Sequence, residues 1–205
     1  MKFYYSPGAC SIGIHVLLEE IGKPYEAVLV NLREGAQFKP EFTSINPKSK
    51  VPTLVRDDGS VLTEYPAIAF WLAATNPNAL IMPEGPEYQA RALELTDYCV
   101  STIHMQGFSR IFRPSNFAPN EADHDAVKAK GEEIFAKGLH LMDQALAGKD
   151  YLLGHYSFAD SALFYISFWW NGRLKKDLPG NVAAHYARMN ARPAVQRVLK
   201  AEGFA

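Results

Sequence analysis

The spacing of apolar residues changes once along this 205-residue chain, near residue 76, and that change constrains the fold more than any other feature. Before it, short β-favouring runs alternate with helical spacing, whereas beyond it the spacing is helical throughout. Alternating strands and helices predict an α/β layer, and helical spacing alone predicts a helical domain. We therefore expect an α/β domain over 1–76, a Pro/Asn/Gly-rich linker over 77–86 and an all-α domain over 87–205.

The first domain is predicted to have the element order βαβαββα, with mixed strand directions. Lys2–Tyr5 favours a strand, a Ser-Pro-Gly turn follows it, and helical spacing continues to a C-cap at Gly22. An Asp-Gly turn predicts that the last two strands form a hairpin. The other predicted elements are strands at 25–30, 51–55 and 60–63 and helices at 38–44 and 64–75.

The second domain shows helical spacing between punctuating Pro and Gly residues. Ser157 followed three positions later by Asp160, directly before an apolar run, predicts a capping box at a helix start. We interpret this pair as structural. The predicted helices are 87–112, 121–146, 158–171, 180–190 and 194–201.

Composition excludes several function classes. Lys plus Arg is 21 against Asp plus Glu 22, with no basic run, so there is no electrostatic footprint for nucleic acid or an anionic membrane. Neither a signal peptide nor a spanning segment of about 18 apolar residues is present, which predicts a cytoplasmic protein. Cys10 and Cys99 have no metal-site or disulfide-framework spacing, so no metal is expected. Small-molecule chemistry is the leading class.

Cys10 lies where the first helix should begin. Unpaired N–H groups and the positive end of the helix dipole stabilise an anion there, enough for partial ionisation of the thiol at pH 7. A hydroxyl from Tyr5, Ser6 or Ser11 could add to this effect. Ile12 breaks the nucleophile-elbow pattern of a hydrolase, and no second cysteine is near enough to resolve a disulfide. The alternative is that Cys10 is a small buried residue with no chemistry.

Two further features suggest a site for an extended peptide-like thiol. Val51-Pro52 precedes an apolar strand, and a cis bond there would turn the Val51 backbone outward as a docking edge. Glu64-Tyr65-Pro66 opens a helix, whose first N–H groups can bind a carboxylate while Glu64 takes an ammonium group. Ordinary capping is the alternative for Glu64.

Taken together, several runs in matching order resemble a bacterial glutathione S-transferase of the beta-like class, from residue 3 to the end of the chain. The resemblance implies a thioredoxin-like N-terminal domain, an all-helical C-terminal domain and a homodimer. The runs that carry it are Phe3–Ser11, Asn46–Leu54, Leu62–Glu64, Phe158–Asp160 and Arg192–Val195.

The resemblance also implies roles for individual residues. Cys10 faces the glutathione sulfur, with the hydroxyls of Tyr5 and Ser11 nearby and His104 approaching from the helical domain. His15 matches a class position with a packing role. The implied glutathione-binding residues are Val51, Pro52 with a cis bond, Glu64, Tyr65 and Asp97, the last reaching the partner subunit's glutathione. The implied second-substrate pocket, between the domains, is Phe108, Phe112, Arg113 and Trp169.

The implied function is a detoxifying transferase that adds the glutathione thiolate to a small hydrophobic electrophile. Glutathione is a substrate, and neither metal nor redox cofactor is needed. Two alternatives remain: thiol–disulfide exchange through Cys10, or a binding protein of the same fold with little turnover. One departure is Tyr65, which stands where many of the family have Ser or Thr. Loss of that small hydroxyl predicts weaker glutathione binding or preference for another thiol.

Overall fold

The computed structural model describes residues 1–204, and contacts divide the chain into two units. One unit combines Met1–Pro83 with the segment from Arg188 onward, and the other is Glu84–Ala187. The division expected from sequence assigns 188–204 to the helical domain, whereas the structure packs that segment with the α/β unit. Apolar periodicity identifies this segment as helical but carries no information about which neighbour it covers.

A four-stranded mixed sheet forms the centre of the α/β unit, as predicted. Its strand order is β2-β1-β3-β4. β1 pairs with β2 in parallel, with Lys2 opposite Glu26, and β1–β3 and β3–β4 are antiparallel, with Thr53 opposite Thr63. The strands are β1 Lys2–Tyr5, β2 Glu26–Leu29, β3 Thr53–Val55 and β4 Val61–Thr63.

Three α-helices and short 3₁₀ turns complete the first 83 residues. α1 ends at Gly22, whose φ of 70° is the left-handed C-cap geometry expected from sequence. The helices are α1 Ser11–Ile21, α2 Pro40–Thr43 and α3 Tyr65–Thr75, with 3₁₀ turns at Leu32–Glu34, Ala36–Phe38 and Pro77–Ala79. The thioredoxin-like order of elements is confirmed.

Each face of the sheet carries its own apolar cluster, because successive strand residues point to opposite faces. Phe3 contacts the α1 face, where its ring lies 5.3 Å from that of His15. Tyr4 points to the other face and packs against Phe42 of α2. That second, smaller cluster has Val30, Phe42 and Val51 buried, with Tyr4, Ala9, Leu32 and Ala36 packed around them.

The C-terminal helix α9, Pro193–Ala201, lies against α1. Arg197 Nε is 2.6 Å from Glu19 Oε2, and Arg192 Nε is 2.6 Å from Glu20 Oε1. The helix is therefore fixed along the outer turns of α1 by two ion pairs as well as by apolar packing.

The second unit is helical, and the predicted helices are confirmed to within a few residues at their ends. Within residues 1–204, no helix is both long and apolar enough to cross a bilayer. The helices are α4 Gly85–Asp97, α5 Ser109–Phe112, α6 His124–Ala145, α7 Phe158–Ser167 and α8 Gly180–Asn190. Between α4 and α5, and after α7, the chain continues as π-helix over Tyr98–Phe108 and Phe168–Arg173.

Close packing and a buried acid hold this unit together. A Cβ added at Gly138 would come within 2.4 Å of Ile103 Cγ1, so α6 approaches the first π-helical segment closely only because this residue lacks a side chain. The predicted capping box is confirmed: Asp160 Oδ2 accepts the Ser157 N–H at 2.9 Å. Asp160 Oδ1 also accepts the Leu152 N–H and contacts His185 Nε2 at 3.0 Å.

Candidate active site

Cys10 is the N-cap of α1, as predicted, and its side chain is half-buried. Its thiol donates to the Val51 carbonyl oxygen at 3.5 Å. The neighbouring residue Ala9 and Val51 belong to the same small apolar cluster on the α2 face. Packing therefore brings together two residues that are 41 positions apart, and both were candidates from sequence.

The segment Ser6–Cys10, which we call the Cys10 turn, is fixed by hydrogen bonds on both sides. Ser11 Oγ accepts the Ser6 N–H and donates to the Ser6 carbonyl oxygen, each at 3.2 Å. Gly8, with φ of 65°, donates its N–H to Glu202 Oε2 at 2.8 Å. The Ser11 hydroxyl is thus engaged by the turn itself, and within residues 1–204 it makes no hydrogen bond to Cys10.

Tyr5 lies on the α1 face of the sheet. Its ring centroid is 5.9 Å from that of Phe3 and 5.2 Å from that of His15. Burial, followed by the charge of Glu202, raises the pKa of the Tyr5 hydroxyl, which is therefore un-ionised at neutral pH. Tyr5 and His15 line a cavity of about 430 Å³ together with Tyr25. Over the described residues, Tyr5 and Cys10 are not joined by a hydrogen bond.

Burial dominates the electrostatics of Cys10. It raises the pKa of the thiol to about 12, while the N–H groups of Cys10 and Ser11 and the charge of Lys50 lower it and Glu64 raises it. The helix start acts in the predicted direction, but the expected partial ionisation at pH 7 is wrong because loss of hydration outweighs it. The Cys10 thiol is therefore un-ionised at pH 7.

Val51-Pro52 is cis, as the resemblance implied. The loop before it is braced by the buried Asn46, whose Nδ2 donates to the Lys50 carbonyl oxygen at 2.8 Å and to Thr53 Oγ1 at 2.9 Å. The Val51 carbonyl oxygen accepts a hydrogen bond from the Cys10 thiol. The backbone N–H of Val51 makes no hydrogen bond in the described chain. Val51 thus presents both backbone groups beside the thiol.

Glu64 is the N-cap of α3 and is exposed. Its φ of 71° lies in the left-handed range, which costs a non-glycine residue about 1–3 kcal/mol and is found most often at functional sites. Lys48 Nζ contacts Glu64 Oε1 at 2.7 Å and donates to Thr63 Oγ1 at 3.0 Å. Tyr65 is only 3% exposed, so its side chain packs into the unit.

The helical unit gathers four of its predicted site residues into one aromatic cluster: His104, Phe108, Phe112 and Trp169. The His104 ring meets Trp169 edge-on at 4.7 Å, and Phe108 stacks on Trp169 at 4.1 Å and on Phe112 at 5.4 Å. Phe108 and Trp169 are buried, whereas Phe112 is 54% exposed. His104 and Phe108 lie in the first π-helical segment, a geometry frequent at functional sites.

Two other predicted residues, Asp97 and Arg113, are exposed at helix ends and make none of these ring contacts. The guanidinium of Arg173 instead lies 5.4 Å from the centre of the Phe112 ring. Sequence reasoning also missed Lys48, Lys50 and Glu202. Lys50 directly precedes Val51-Pro52 and could have been found from that position. Glu202, 194 residues from Gly8, carries no local signal.

The chain has a thioredoxin-like unit with a cysteine at the start of its first helix, followed by a helical unit, and known proteins share these features. Residues 8–75 match the glutathione S-transferase N-terminal domain family. The whole chain is 35% identical, over 209 residues and the full length of both proteins, to glutathione S-transferase GstA of Escherichia coli O157:H7. The chain therefore belongs to the glutathione S-transferase family.

Solved structures agree. A sphingomonad glutathione S-transferase complexed with glutathione has a TM-score of 0.85 at 35% identity, and both chains are fully covered. The bacterial beta class enzyme of Sphingomonas chungbukensis has a TM-score of 0.86 at 31% identity, again over the full length of both. Both the family and the class suggested by the sequence runs are supported by these likenesses. No group of three or more His, Cys, Asp or Glu side chains within residues 1–204 could hold a metal.

Proposed function

We propose that this protein is a glutathione transferase that binds glutathione beside Cys10 and joins its sulfur to a small hydrophobic electrophile. One observation carries the proposal: an un-ionised thiol at a helix start donates to the carbonyl oxygen of Val51, next to an N–H without a hydrogen-bond partner in the described chain. An extended thiol peptide needs such an edge for its backbone and such a helix start for its sulfur.

Each part of glutathione has a counterpart in the α/β unit. Its cysteinyl N–H and C=O would pair with the Val51 backbone as a strand pairs with an edge. Its γ-glutamyl carboxylate would bind at the first turn of α3, and the ammonium group would bind the Glu64 carboxylate, which an exposed Lys48 holds in the free protein. Because residue 65 is Tyr, this first turn lacks the small hydroxyl donor of Ser or Thr, and we expect glutathione to bind more weakly than where Ser or Thr is present.

The chemistry we propose leaves Cys10 protonated. The glutathione thiol loses its proton to solvent, and its thiolate accepts hydrogen bonds from the Cys10 S–H and from the first N–H groups of α1. The sulfur lone pair then forms a bond to the electrophilic carbon, and a leaving group departs with its bonding electrons. A thiol with a pKa of about 12 is a poor nucleophile but a usable donor, which favours conjugation over exchange through Cys10.

The helical unit supplies the apolar surface in this proposal. The partly exposed Phe112 and its stacked neighbours would contact the electrophile, and His104 would contribute a ring nitrogen to the reaction. We further propose a homodimer, with Asp97 reaching the partner's glutathione. We place the enzyme in the cytoplasm, where glutathione keeps thiols such as Cys10 and Cys99 reduced.

The test is turnover of glutathione with a chromogenic electrophile, together with intact mass after exposure to oxidised glutathione. We expect turnover in the wild type and in Cys10→Ser, with no stable mixed disulfide at neutral pH. Exchange through Cys10 would instead show an adduct of glutathione mass that Cys10→Ser abolishes. Failure to bind immobilised glutathione, with no turnover, would leave only a binding module of the same fold.

A further inference from the structure

We propose that the second substrate is a flat, unsaturated electrophile with a carboxylate group, and that Arg173 binds this carboxylate, an inference that rests on the proposed function. In the proposed function the electrophile has an apolar body in contact with Phe112. The charges around Phe112 add an anionic group to that body and so define the class of electrophile more narrowly.

The exposed edge of the aromatic cluster combines a ring with a cation. Phe112 is 54% exposed and stacks on the buried Phe108, which stacks in turn on Trp169. The guanidinium of Arg173, the last residue of the second π-helical segment, lies 5.4 Å from the centre of the Phe112 ring. A flat apolar surface and a positive charge are therefore presented side by side, and an aromatic ligand on Phe112 would place an acidic substituent within reach of Arg173.

The segments that form this cluster have a strong charge bias. Residues 98–120 and 161–176 contain five Arg and Lys side chains between them and no Asp or Glu, whereas the whole chain has a net charge of −1. The five cations are Arg110, Arg113, Arg173, Lys175 and Lys176. Cations that surround an apolar surface attract an anionic ligand and repel a cationic one, so the bias favours an electrophile with a negative charge.

The contacts of the five cations single out one of them. Arg110 donates to a backbone carbonyl oxygen one turn earlier, at 2.7 Å, and Lys176 contacts the carboxylate of Glu132. Arg173 is exposed, and in the described part of the chain it is the cation that lies over the Phe112 ring. A guanidinium can bind a carboxylate through two parallel N–H donors, whereas an ammonium group binds it as a point charge. Arg173 is therefore suited to select a carboxylate.

The expected selectivity is modest because Arg173 is exposed. A hydrogen bond to a charged group changes affinity about 10- to 150-fold. Water and salt screen an exposed pair, so we expect a value near the low end of that range. The same screening predicts that the selectivity decreases as the salt concentration is raised.

The first experiment compares two electrophiles that differ in charge, a chlorodinitrobenzoate and its primary carboxamide. In both, the glutathione sulfur forms a bond to the ring carbon and chloride departs with its bonding electrons. Each kcat/KM is divided by the uncatalysed rate constant, which removes the difference in intrinsic reactivity. The wild type should prefer the carboxylate about tenfold. Arg173→Gln should lose most of this preference through a higher KM for the carboxylate, and Arg173→Lys should retain part of it.

Arg91 offers a matched control. It is an exposed arginine in α4 of the same unit, and its guanidinium contacts the carboxylates of Glu87 and Glu94. Arg91→Gln removes the same charge from the unit outside the cluster, so it should leave the preference at the wild-type value. An equal preference in Arg173→Gln and Arg91→Gln, or a wild type that prefers the carboxamide, would overturn the proposal.

The second experiment needs neither glutathione nor turnover. The protein is titrated in a calorimeter with dinitrobenzoate, which lacks the reactive chlorine, and with dinitrobenzamide. At low salt the wild type should bind the benzoate about tenfold more tightly than the amide, and Arg173→Gln should lose most of this difference. Equal affinities, or no binding of either compound, would overturn the proposal. Absence of turnover with both chloro compounds would refute the proposed function alone, because the titration would still decide whether Arg173 binds a carboxylate.

Discussion

Cys10 and Cys99 lie in different units, and burial raises the pKa of both thiols to about 12. Their surroundings differ. Cys10 is half-buried at a helix start, donates to the Val51 carbonyl oxygen and feels the charges of Lys50 and Glu64. Cys99 is completely buried in the first π-helical segment, where the charge of Asp160 raises its pKa further.

The comparison teaches that a shifted pKa does not by itself mark a functional cysteine. With desolvation as the largest cause in both cases, the pKa of a core thiol is raised as far as that of a site thiol. What distinguishes Cys10 is access, the adjoining Val51 backbone and the helix-start N–H groups. Substitutions at the two cysteines should therefore have different effects: those at Cys10 should change catalytic turnover, and those at Cys99 should change the free energy of unfolding.

The largest expected difference between the two thiols is in alkylation of the native protein. Cys99 can react only after an opening that costs much of the unfolding free energy, about 5–15 kcal/mol, so Cys10 should react at least about 10³-fold faster. Because the thiolate is the reacting form and its pKa is raised, the Cys10 rate should rise about tenfold per pH unit from pH 7 to pH 11. Iodoacetamide labelling with peptide mapping measures both, and equal rates at the two sites would break the comparison.

Turnover should separate the cysteines next. Cys10→Ala removes a donor to the glutathione thiolate, a hydrogen bond of about 1.5–3 kcal/mol, so kcat/KM should fall about 10- to 150-fold without reaching zero. Cys99→Ala, the matched control, should leave kcat/KM per folded molecule unchanged. The chromogenic assay decides this, and unchanged turnover in Cys10→Ala would show that Cys10 is not part of the site.

Stability should show the opposite pattern. Cys99→Ser puts a hydroxyl at a completely buried position and should cost about 1–3 kcal/mol of unfolding free energy. Cys10→Ser should cost less than about 0.5 kcal/mol, since its hydroxyl can still donate to the Val51 carbonyl oxygen and reach water. Urea unfolding of the two variants measures the difference, and a larger loss in Cys10→Ser would reverse our assignment of the structural and functional thiols.

The smallest effect concerns the charge beside Cys10. Lys50 lowers the pKa of the thiol, so Lys50→Gln should raise it and slow labelling of Cys10 about two- to fivefold at fixed pH. Lys39→Gln, another exposed lysine of the same unit, is the control and should change nothing. The labelling rate of Cys99 should be the same in both variants. If the labelling rate of Cys10 rises in Lys50→Gln, Lys50 does not lower the pKa of this thiol.

Local patterns were enough to predict much of this molecule. Strand and helix periods predicted the element order, a Pro-Gly turn placed Cys10 at a helix start, and Ser157 with Asp160 predicted the capping box. These features depend on residues within a few positions of one another. The family resemblance predicted the cis bond between Val51 and Pro52. The low frequency of cis bonds before proline would not have predicted it.

Longer-range features were out of reach. The pKa of Cys10 depends on burial by segments that apolar spacing does not pair, and this reversed the expected partial ionisation. The contact between Glu202 and Gly8 spans the chain, and the packing of the C-terminal segment on α1 follows from tertiary contacts. The π-helical segments keep helical spacing, so their change in hydrogen bonding left no mark in the sequence pattern.

The central claim is that Cys10 stays protonated while glutathione carries the thiolate. Ultraviolet thiolate absorbance, recorded between pH 5 and pH 9 with and without glutathione, tests it most directly. We predict no thiolate signal from the free protein in this range and one thiolate per site when glutathione is bound. In Cys10→Ala the signal with bound glutathione should be smaller but still present. A thiolate signal in the free protein that disappears in Cys10→Ala would contradict the account.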